Sequence, residues 1–422
     1  MLDRSKQPAV HPIAKLEFIE PIINSVGATK VIEFKGGDKE VIRLRVVFNA
    51  GSKYHPNPVI PVAVNALIKE GTKNYSAKEL ADKLDYYGAF LHSEIDKDRA
   101  WLELYCLSKH LKSVLPYFID IVQHAEISQT EWDIYKATAV QQLRLNHQKV
   151  SFLAKTKIQS ILFDNHPYGT QVTEDFYEHI DVTDLNTFYK EHIVNQIVQV
   201  ELVGQYNDEQ KNYLLEAFGL SEQSLLATKQ LEVKAVKREA VFIPKSDAVQ
   251  CAISLARQFP GRTHPDYFGV KVLVCALGGY FGSRLMANIR EDKGFTYGIG
   301  AGVGAYFEHG IISISTEVGV DVKDAALDEI YYELNRLIDE PMLDEELTIV
   351  KNYMKGSLLK QCDGIFSQAD LLNLLIPFEL DFKHIDEYMH VINTITPQEL
   401  QSLAIRYLQK EDFVEVVAGG VA

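Results

Sequence analysis

The chain has 422 residues, too many for one hydrophobic core, so two or three domains of ordinary size are expected. Its composition, 46% hydrophobic and 24% charged, is that of a globular protein, and a net charge of −15 argues against nucleic acid as a partner. No apolar run approaches a membrane span, and the start, MLDRSKQPAVHPIAKLEF, lacks the apolar core of a secretory signal; with Met1 as the native start, a cytoplasmic location is expected.

In chain order, Ile32 to Phe34 and VIRLRVVF from Val41 to Phe48 read as strands. A His55-Pro56 turn and a helix, PVIPVAVNALIKEG, follow, the helix closing on Gly71-Thr72. His92 and Glu94 share one face of a strand, yet no second pair completes a metal site, and the histidines are expected to be structural. The four cysteines, Cys106, Cys251, Cys275 and Cys362, lie far apart with no metal-like spacing and read as free, mostly buried thiols. From Thr183 to Gly204 the pattern is a Thr-capped helix feeding a strand.

The chain then repeats itself. CAISLARQF, Cys251 to Phe259, answers the first half's strand. The His264-Pro265 turn stands 209 residues after its counterpart at His55, and DYFGVKVLVCALGG follows it as PVIPVAVNALIKEG follows the first. Thr396 to Gly419 repeats the closing helix and strand, with Val414-Glu415 matching Val200-Glu201. A repeat this long means two copies of one domain, not a solenoid. The seam is expected in the charged, Gly-free stretch from Ser221 to Val241, which divides the chain into domains 1–225 and 235–422. Mixed strands and helices within each half predict an α+β class, with helices on one face of a mostly antiparallel sheet.

The most informative stretch is GGYFGSRLMANIREDKGFTYGIGAG, Gly278 to Gly302. It reads as a Gly-marked turn, an amphipathic helix with Phe281, Leu285 and Ile289 on one face, a Lys293-Gly294 stop and a Gly-rich strand. Arg290 and Tyr297 stand out, at the helix end and on the strand it feeds. Alone they are unremarkable, since an Arg suits a last helical turn and a Tyr suits a strand.

Gly278, Gly279, Ser283, Arg284, Leu285, Arg290, Glu291, Lys293, Gly294 and Tyr297 together resemble the second-half signature of the pitrilysin/insulinase superfamily of zinc peptidases. The branch is the one containing mitochondrial processing peptidase and its bacterial two-subunit relatives. The resemblance covers nearly the whole chain and implies a clam-like half built of two homologous α+β domains. Catalytic members carry His-x-x-Glu-His before a Gly-Thr pair: two His on one helical face bind zinc, the Glu acts as general base, and a later Glu completes the site. Here the Gly71-Thr72 anchor and the upstream GSKYHPN are present, but the ligand positions hold Val62 and Ala66 and the general-base position holds Asn65. The later Glu position, counted back from the HPYG turn at His166 to Gly169, falls near Gln142. None of these can act as required. No metal or cofactor is therefore expected in this chain, and no Gly-x-Ser-x-Gly elbow, P-loop or dinucleotide fingerprint replaces the lost site.

In several members the zinc motif and the Arg/Tyr pair sit on different polypeptides. The resemblance thus implies a non-catalytic subunit, inactive alone, that binds an unfolded or oligopeptide substrate through Arg290 and Tyr297. It would do so beside the zinc of a homologous partner in a heterodimer, with zinc only in that partner. The loop GGYFGSRL is too short for the extended Gly-rich loop that admits mitochondrial presequences, so presequence processing is not implied. The alternatives are an inert structural or assembly subunit, as in respiratory-complex core subunits of this fold, and a peptide-binding homodimer.

Overall fold

The computed structural model describes residues 16–37, 40–194, 196–218, 220, 225 and 231–421. Two sheets organise it. The first contains β1 (Ile22–Val26), β2 (Thr29–Lys35), β3 (Val41–Phe48), β4 (Phe90–Ile95), β5 (Ala100–Leu107) and β6 (Ile197–Gly204), in the order β1-β2-β6-β3-β5-β4. The second contains β7 (Ala240–Ile243), β8 (Gln250–Phe259), β9 (Thr296–Ala305), β10 (Gly310–Gly319) and β11 (Val414–Ala418), in the order β7-β11-β8-β10-β9. Leaving out β1, the two orders are the same, strand for strand. Each has one parallel pair, β2 with β6 and β7 with β11, and is otherwise antiparallel. The duplication read from the sequence is thus a duplication of topology, and the fold is two homologous α+β domains. Of the seam, residues 221–224 and 226–230 lie outside the described residues.

Each strand's period of two assigns its residues to opposite faces. In β3, Ile42, Leu44, Val46 and Phe48 face a core shared with the helices Val59–Leu67 and Leu111–His124. In β8, Cys251, Ile253, Leu255 and Phe259 face the corresponding core of the second half. All four cysteines are free and buried. Helices do not stay on one face of each sheet, as the sequence pattern suggested. The helix Val150–Leu162, from the first half, lays Val150, Ala154, Ile158 and Leu162 against Ala252, Ala256, Val414 and Val416 of the second sheet. The helix Ile365–Asn373, from the second half, lays Ile365, Ala369 and Leu372 against Ile32, Phe34 and Val203 of the first. This exchange closes the far face of each sheet with the other half's helix. Nothing local encodes it, because both helices present an ordinary apolar stripe and either sheet could accept it.

Polar groups fix the exchange. On β3 Arg43 is 1% exposed; its Nη2 donates to Glu201 Oε1 (2.9 Å) and its Nη1 to Asp370 Oδ1 (2.7 Å). Arg45 donates to the same Asp370 oxygen (2.6 Å) and to Glu103, and Asn373 donates to Glu201. Asp370 and Asn373 belong to the crossing helix, so the network ties the second half's chain to the first half's sheet.

A second seam joins the domains at the β9–β10 hairpin. Lys53 Nζ donates to Asp98 Oδ1 (2.7 Å) and to Glu308 Oε1 (2.9 Å), and His166 Nε2 lies 2.8 Å from Glu308 Oε2. Tyr168 donates to Asp98 (2.6 Å) and stacks on Tyr306 with ring centroids 4.6 Å apart. Burial alone would raise the Glu308 carboxyl, but the Lys53 and His166 hydrogen bonds outweigh it and hold it below its ordinary 4.5. The stabilisation it contributes is therefore present above pH 4.5 and is lost as pH falls through the lower folded value. Glu308→Gln is expected to cost about 1–3 kcal/mol, because buried Lys53 loses a charged acceptor. Acid titrations of the two proteins should then converge as pH falls below the lowered folded value of Glu308. A variant as stable as the parent at pH 7 would contradict this role.

One cap differs from expectation. Thr396 caps its helix, its side chain accepting from the Glu399 N–H, but the matching helix of the first half is capped by Asp181, two residues before Thr183. Thr183 N–H donates to the Asp181 carboxylate instead, so an acid two positions upstream outcompetes the hydroxyl.

Candidate functional site

The helix Val59–Leu67 starts where the Asn57 side chain accepts the Val59 N–H (3.0 Å). It is followed by Gly71, whose φ of +145° favours glycine, and by Thr72, whose hydroxyl donates to Asp120 (2.5 Å) and accepts from Tyr75 N–H. The scaffold around the position that the resemblance assigns to a metal in catalytic relatives is therefore formed. The donors are missing. Val62 is 36% exposed and lines a cavity of about 710 Å³ between the two domains. Asn65 is buried and Ala66 half-buried, one turn further along the same helix. Gln142 is exposed on the helix Gln129–His147, where its amide donates to Asn146 (3.2 Å) and borders a neighbouring hollow of about 380 Å³. Lys97, Val172 and Tyr177 line both hollows, so Val62 and Gln142 are brought to adjoining spaces.

Two alkyl groups and two neutral amides do not fit a zinc ion, which takes imidazole, thiolate or carboxylate ligands. Among the described residues no three His, Cys, Asp or Glu side chains gather as a metal cage. His92 Nε2 and Glu94 Oε1 do meet, at 2.9 Å, but as an exposed pair on β4. The GSKYHPN segment has a structural role that its letters did not reveal. A Cβ on Gly51 would lie 2.3 Å from the Asp98 carbonyl carbon, and Lys53 anchors the interdomain ion cluster.

The second candidate region departs from its sequence reading in detail. Gly278 does not mark a positive-φ turn. It sits in a π-helical turn, Cys275–Gly279, where a Cβ would come within 2.7 Å of Ala301 on β9. Its role is close approach of helix to strand. The following helix is π-helical over Met286–Asp292, with Leu285 and Ile289 fully buried. Phe281 precedes it and is 60% exposed, so it does not share that buried face. Instead the Arg290 guanidinium stacks over the Phe281 ring, 4.8 Å from its centroid. Gly294, at φ +66°, ends the helix as the sequence indicated.

Tyr297 is 91% exposed and lies on β9, an edge strand. Thr296 pairs with Val318 and Ile299 with Thr316, so Tyr297 and Gly298 together oppose Glu317 in a β-bulge. A bulge re-aims the side chain it carries, which is why such irregularities recur beside working sites. Tyr297 also borders a groove of about 650 Å³ between the second sheet and the helix Val150–Leu162 that crosses it, with Lys155, Ser254, Ser315 and Glu317. Arg290 and Tyr297 thus flank one helix–strand junction, without a hydrogen bond joining them among the described residues.

Among the described residues no helix is long and apolar enough to cross a membrane. The family model described as Insulinase (Peptidase family M16) matches residues 35–175, which contain Val62, Asn65, Ala66 and Gln142. The model described as Peptidase M16 inactive domain matches residues 179–354, which contain Arg290 and Tyr297. The chain is 23% identical over 349 residues to the uncharacterized zinc protease YmxG of Bacillus subtilis (strain 168), covering 82% of this chain and 84% of that one. The crystal structure of a peptidase M16 inactive domain from Pseudomonas fluorescens superposes with a TM-score of 0.87 at 20% identity, over 95% of this chain and 98% of that one. The periplasmic protease PqqL from Escherichia coli superposes with a TM-score of 0.79 at 14% identity, over 99% of this chain and 48% of that one. Carried by the two family models and by two sheets of one topology, this chain belongs to the insulinase, or M16, peptidase family of the pitrilysin-like superfamily.

Proposed function

We propose that this chain is the non-catalytic, substrate-gripping half of a two-chain zinc peptidase. The observation that carries the reading is the asymmetry between its two candidate regions. The scaffold of the metal position persists with Val62, Asn65, Ala66 and Gln142 in place of ligands and base, while Arg290 and Tyr297 remain, with Tyr297 turned out on a bulge. That this chain matches about half of PqqL's length is in keeping with a clam whose second half is another polypeptide. In the proposed complex the partner is a homologous chain with His-x-x-Glu-His, and zinc is held there alone.

The chemistry asked of this chain is electrostatic. Arg290 presents a rigid, permanently charged fork to a peptide carbonyl or to negative charge developing on its oxygen. The Phe281 ring beneath the guanidinium limits its freedom without using its donors. Tyr297 supplies a second donor from the bulge. The purified chain is expected to carry less than a tenth of an equivalent of zinc and to cleave no unfolded peptide. Metal analysis giving one zinc per chain after dialysis would overturn this assignment.

A further inference from the structure

The cavity beside Val62 has a composition that peptide gripping does not use. Its walls include Val47, Val62, Trp101, Leu374 and Phe378, and its charged lining is unbalanced. Three carboxylates reach it, and each is engaged. Asp96 accepts from the backbone N–H groups of Asp98 (2.7 Å) and Arg99 (2.6 Å), Asp98 accepts from Lys53 and Tyr168, and Asp370 accepts from Arg43 and Arg45. Arg45 is likewise spent on Glu103 and Asp370. Lys97, Arg99 and Arg262 also line it, and among the described residues none of the three has a carboxylate within ion-pair distance.

Among the described residues the two guanidinium groups lie over rings and meet no hydrogen-bond acceptor. Arg99 lies over Phe307 at 5.0 Å, and Arg262 lies over Tyr267 at 5.6 Å and Phe378 at 5.5 Å. The Nε of each is buried with no hydrogen-bond partner. Burial pushes the Lys97 amine and the Arg99 guanidinium below their ordinary values, and the nearby Asp98 and Asp96 only partly offset it. The terminal nitrogens of Arg99, Arg262 and Lys97 have no acceptor among the described residues, and an anion in the cavity would supply these charged donors with one. A cavity of about 710 Å³ is the size of a small-ligand site, with apolar walls and a few convergent polar groups.

We propose that this interdomain cavity binds an amphipathic carboxylate, its acid group held by Arg99, Arg262 and Lys97 and its apolar body packed against Val62, Trp101 and Phe378. The loss of the metal ligand at Val62 then has a positive consequence, an apolar wall where an imidazole would be. Two sources supply such a group: a free organic acid with an alkyl or aromatic body, and the C-terminal carboxylate of an apolar peptide. The site uses this chain's residues alone, so it stands or falls independently of the two-chain peptidase reading.

The test uses the full chain without a partner. Tryptophan fluorescence reports on the site because Trp101 lines the cavity, whereas Trp132 is buried in the first-domain core. Decanoate, decanol, and an acetylated Leu/Phe tetrapeptide with a free or an amidated C-terminus are the probes. Decanoate is expected to bind saturably, and decanol about tenfold or more weaker, the difference a charged hydrogen bond makes. Arg262→Met and Arg99→Met should each weaken decanoate by about tenfold and leave decanol unchanged. Should one variant fail to fold, the other carries the comparison. Equal binding of decanol and decanoate, or no saturable decanoate binding below its micelle concentration, would overturn the proposal. Displacement of decanoate by the free-acid peptide and not by its amide assigns the peptide C-terminus as the source. Saturable decanoate binding that neither peptide displaces assigns a small acid.

Discussion

Arg43→Met is expected to destabilise the first domain by roughly 3–5 kcal/mol, the range for removing one partner of a buried ion pair. The substitution leaves Glu201, which is fully buried, with Asn373 as its close donor and Arg45 Nη1 at 3.9 Å. The cost comes from the stranded carboxylate and not from the value of the pair itself, because desolvating both charges offsets most of their attraction. The double variant Arg43→Met/Glu201→Gln should therefore regain much of the loss. A urea titration followed by tryptophan fluorescence separates these outcomes, since both tryptophans, Trp101 and Trp132, belong to the first half. A single variant within about 1 kcal/mol of the parent would mean that Glu201 is served by other donors and that the helix exchange does not depend on Arg43. Loss of the Asp370 contact should also loosen the crossing helix Ile365–Asn373, seen as faster amide exchange in that helix alone.

In a complex reconstituted with the proposed zinc-bearing partner, Arg290→Ala is expected to lower kcat by about tenfold or more, the loss typical of a single charge-stabilising donor. Tyr297→Phe should lower it less, as a neutral hydroxyl is removed. Tyr297 is exposed on an edge strand and Arg290 is half-buried, stacked on exposed Phe281 and outside the core, so neither change should unfold the chain. The split between kinetic constants discriminates roles. Loss in kcat with unchanged KM indicates a contact made in the transition state, whereas a raised KM alone indicates uniform substrate binding. Arg290→Lys should recover only part of the rate, because an ammonium lacks the planar fork. Unchanged turnover in both Arg290→Ala and Tyr297→Phe would remove these residues from the site.

The sequence made the duplication legible because strand alternation, His-Pro turns and closing helices recur in the same order at nearly the same spacing, and such signals survive divergence. That Val62 and Ala66 offer a zinc ion no donor was also legible, since neither side chain carries one whatever its surroundings. Arg43 and Arg45 show where this reading stops. At alternate positions of VIRLRVVF they look like the solvent face of a half-buried strand, yet a helix from the other half covers that face and brings Asp370 with it. Long-range coverage of this kind leaves no local mark. Phe281 failed for a different reason. Its four-residue spacing to Leu285 is helical, but the helix begins only at Arg284 and widens to a π-helix from Met286. Lys53, with its partner Glu308 in the second half of the chain, was invisible until the two domains were placed together.

Co-purification of this chain from its own cell lysate, with mass spectrometry of what accompanies it and a peptide-cleavage assay of the eluate, bears most directly on the central claim. The expected result is a homologous chain carrying His-x-x-Glu-His in equal amount, and cleavage that chelation abolishes and that Arg290→Ala weakens. Recovery of this chain by itself, or within a large assembly with no such homologue and no cleavage, would contradict the claim and identify the fold here as scaffold.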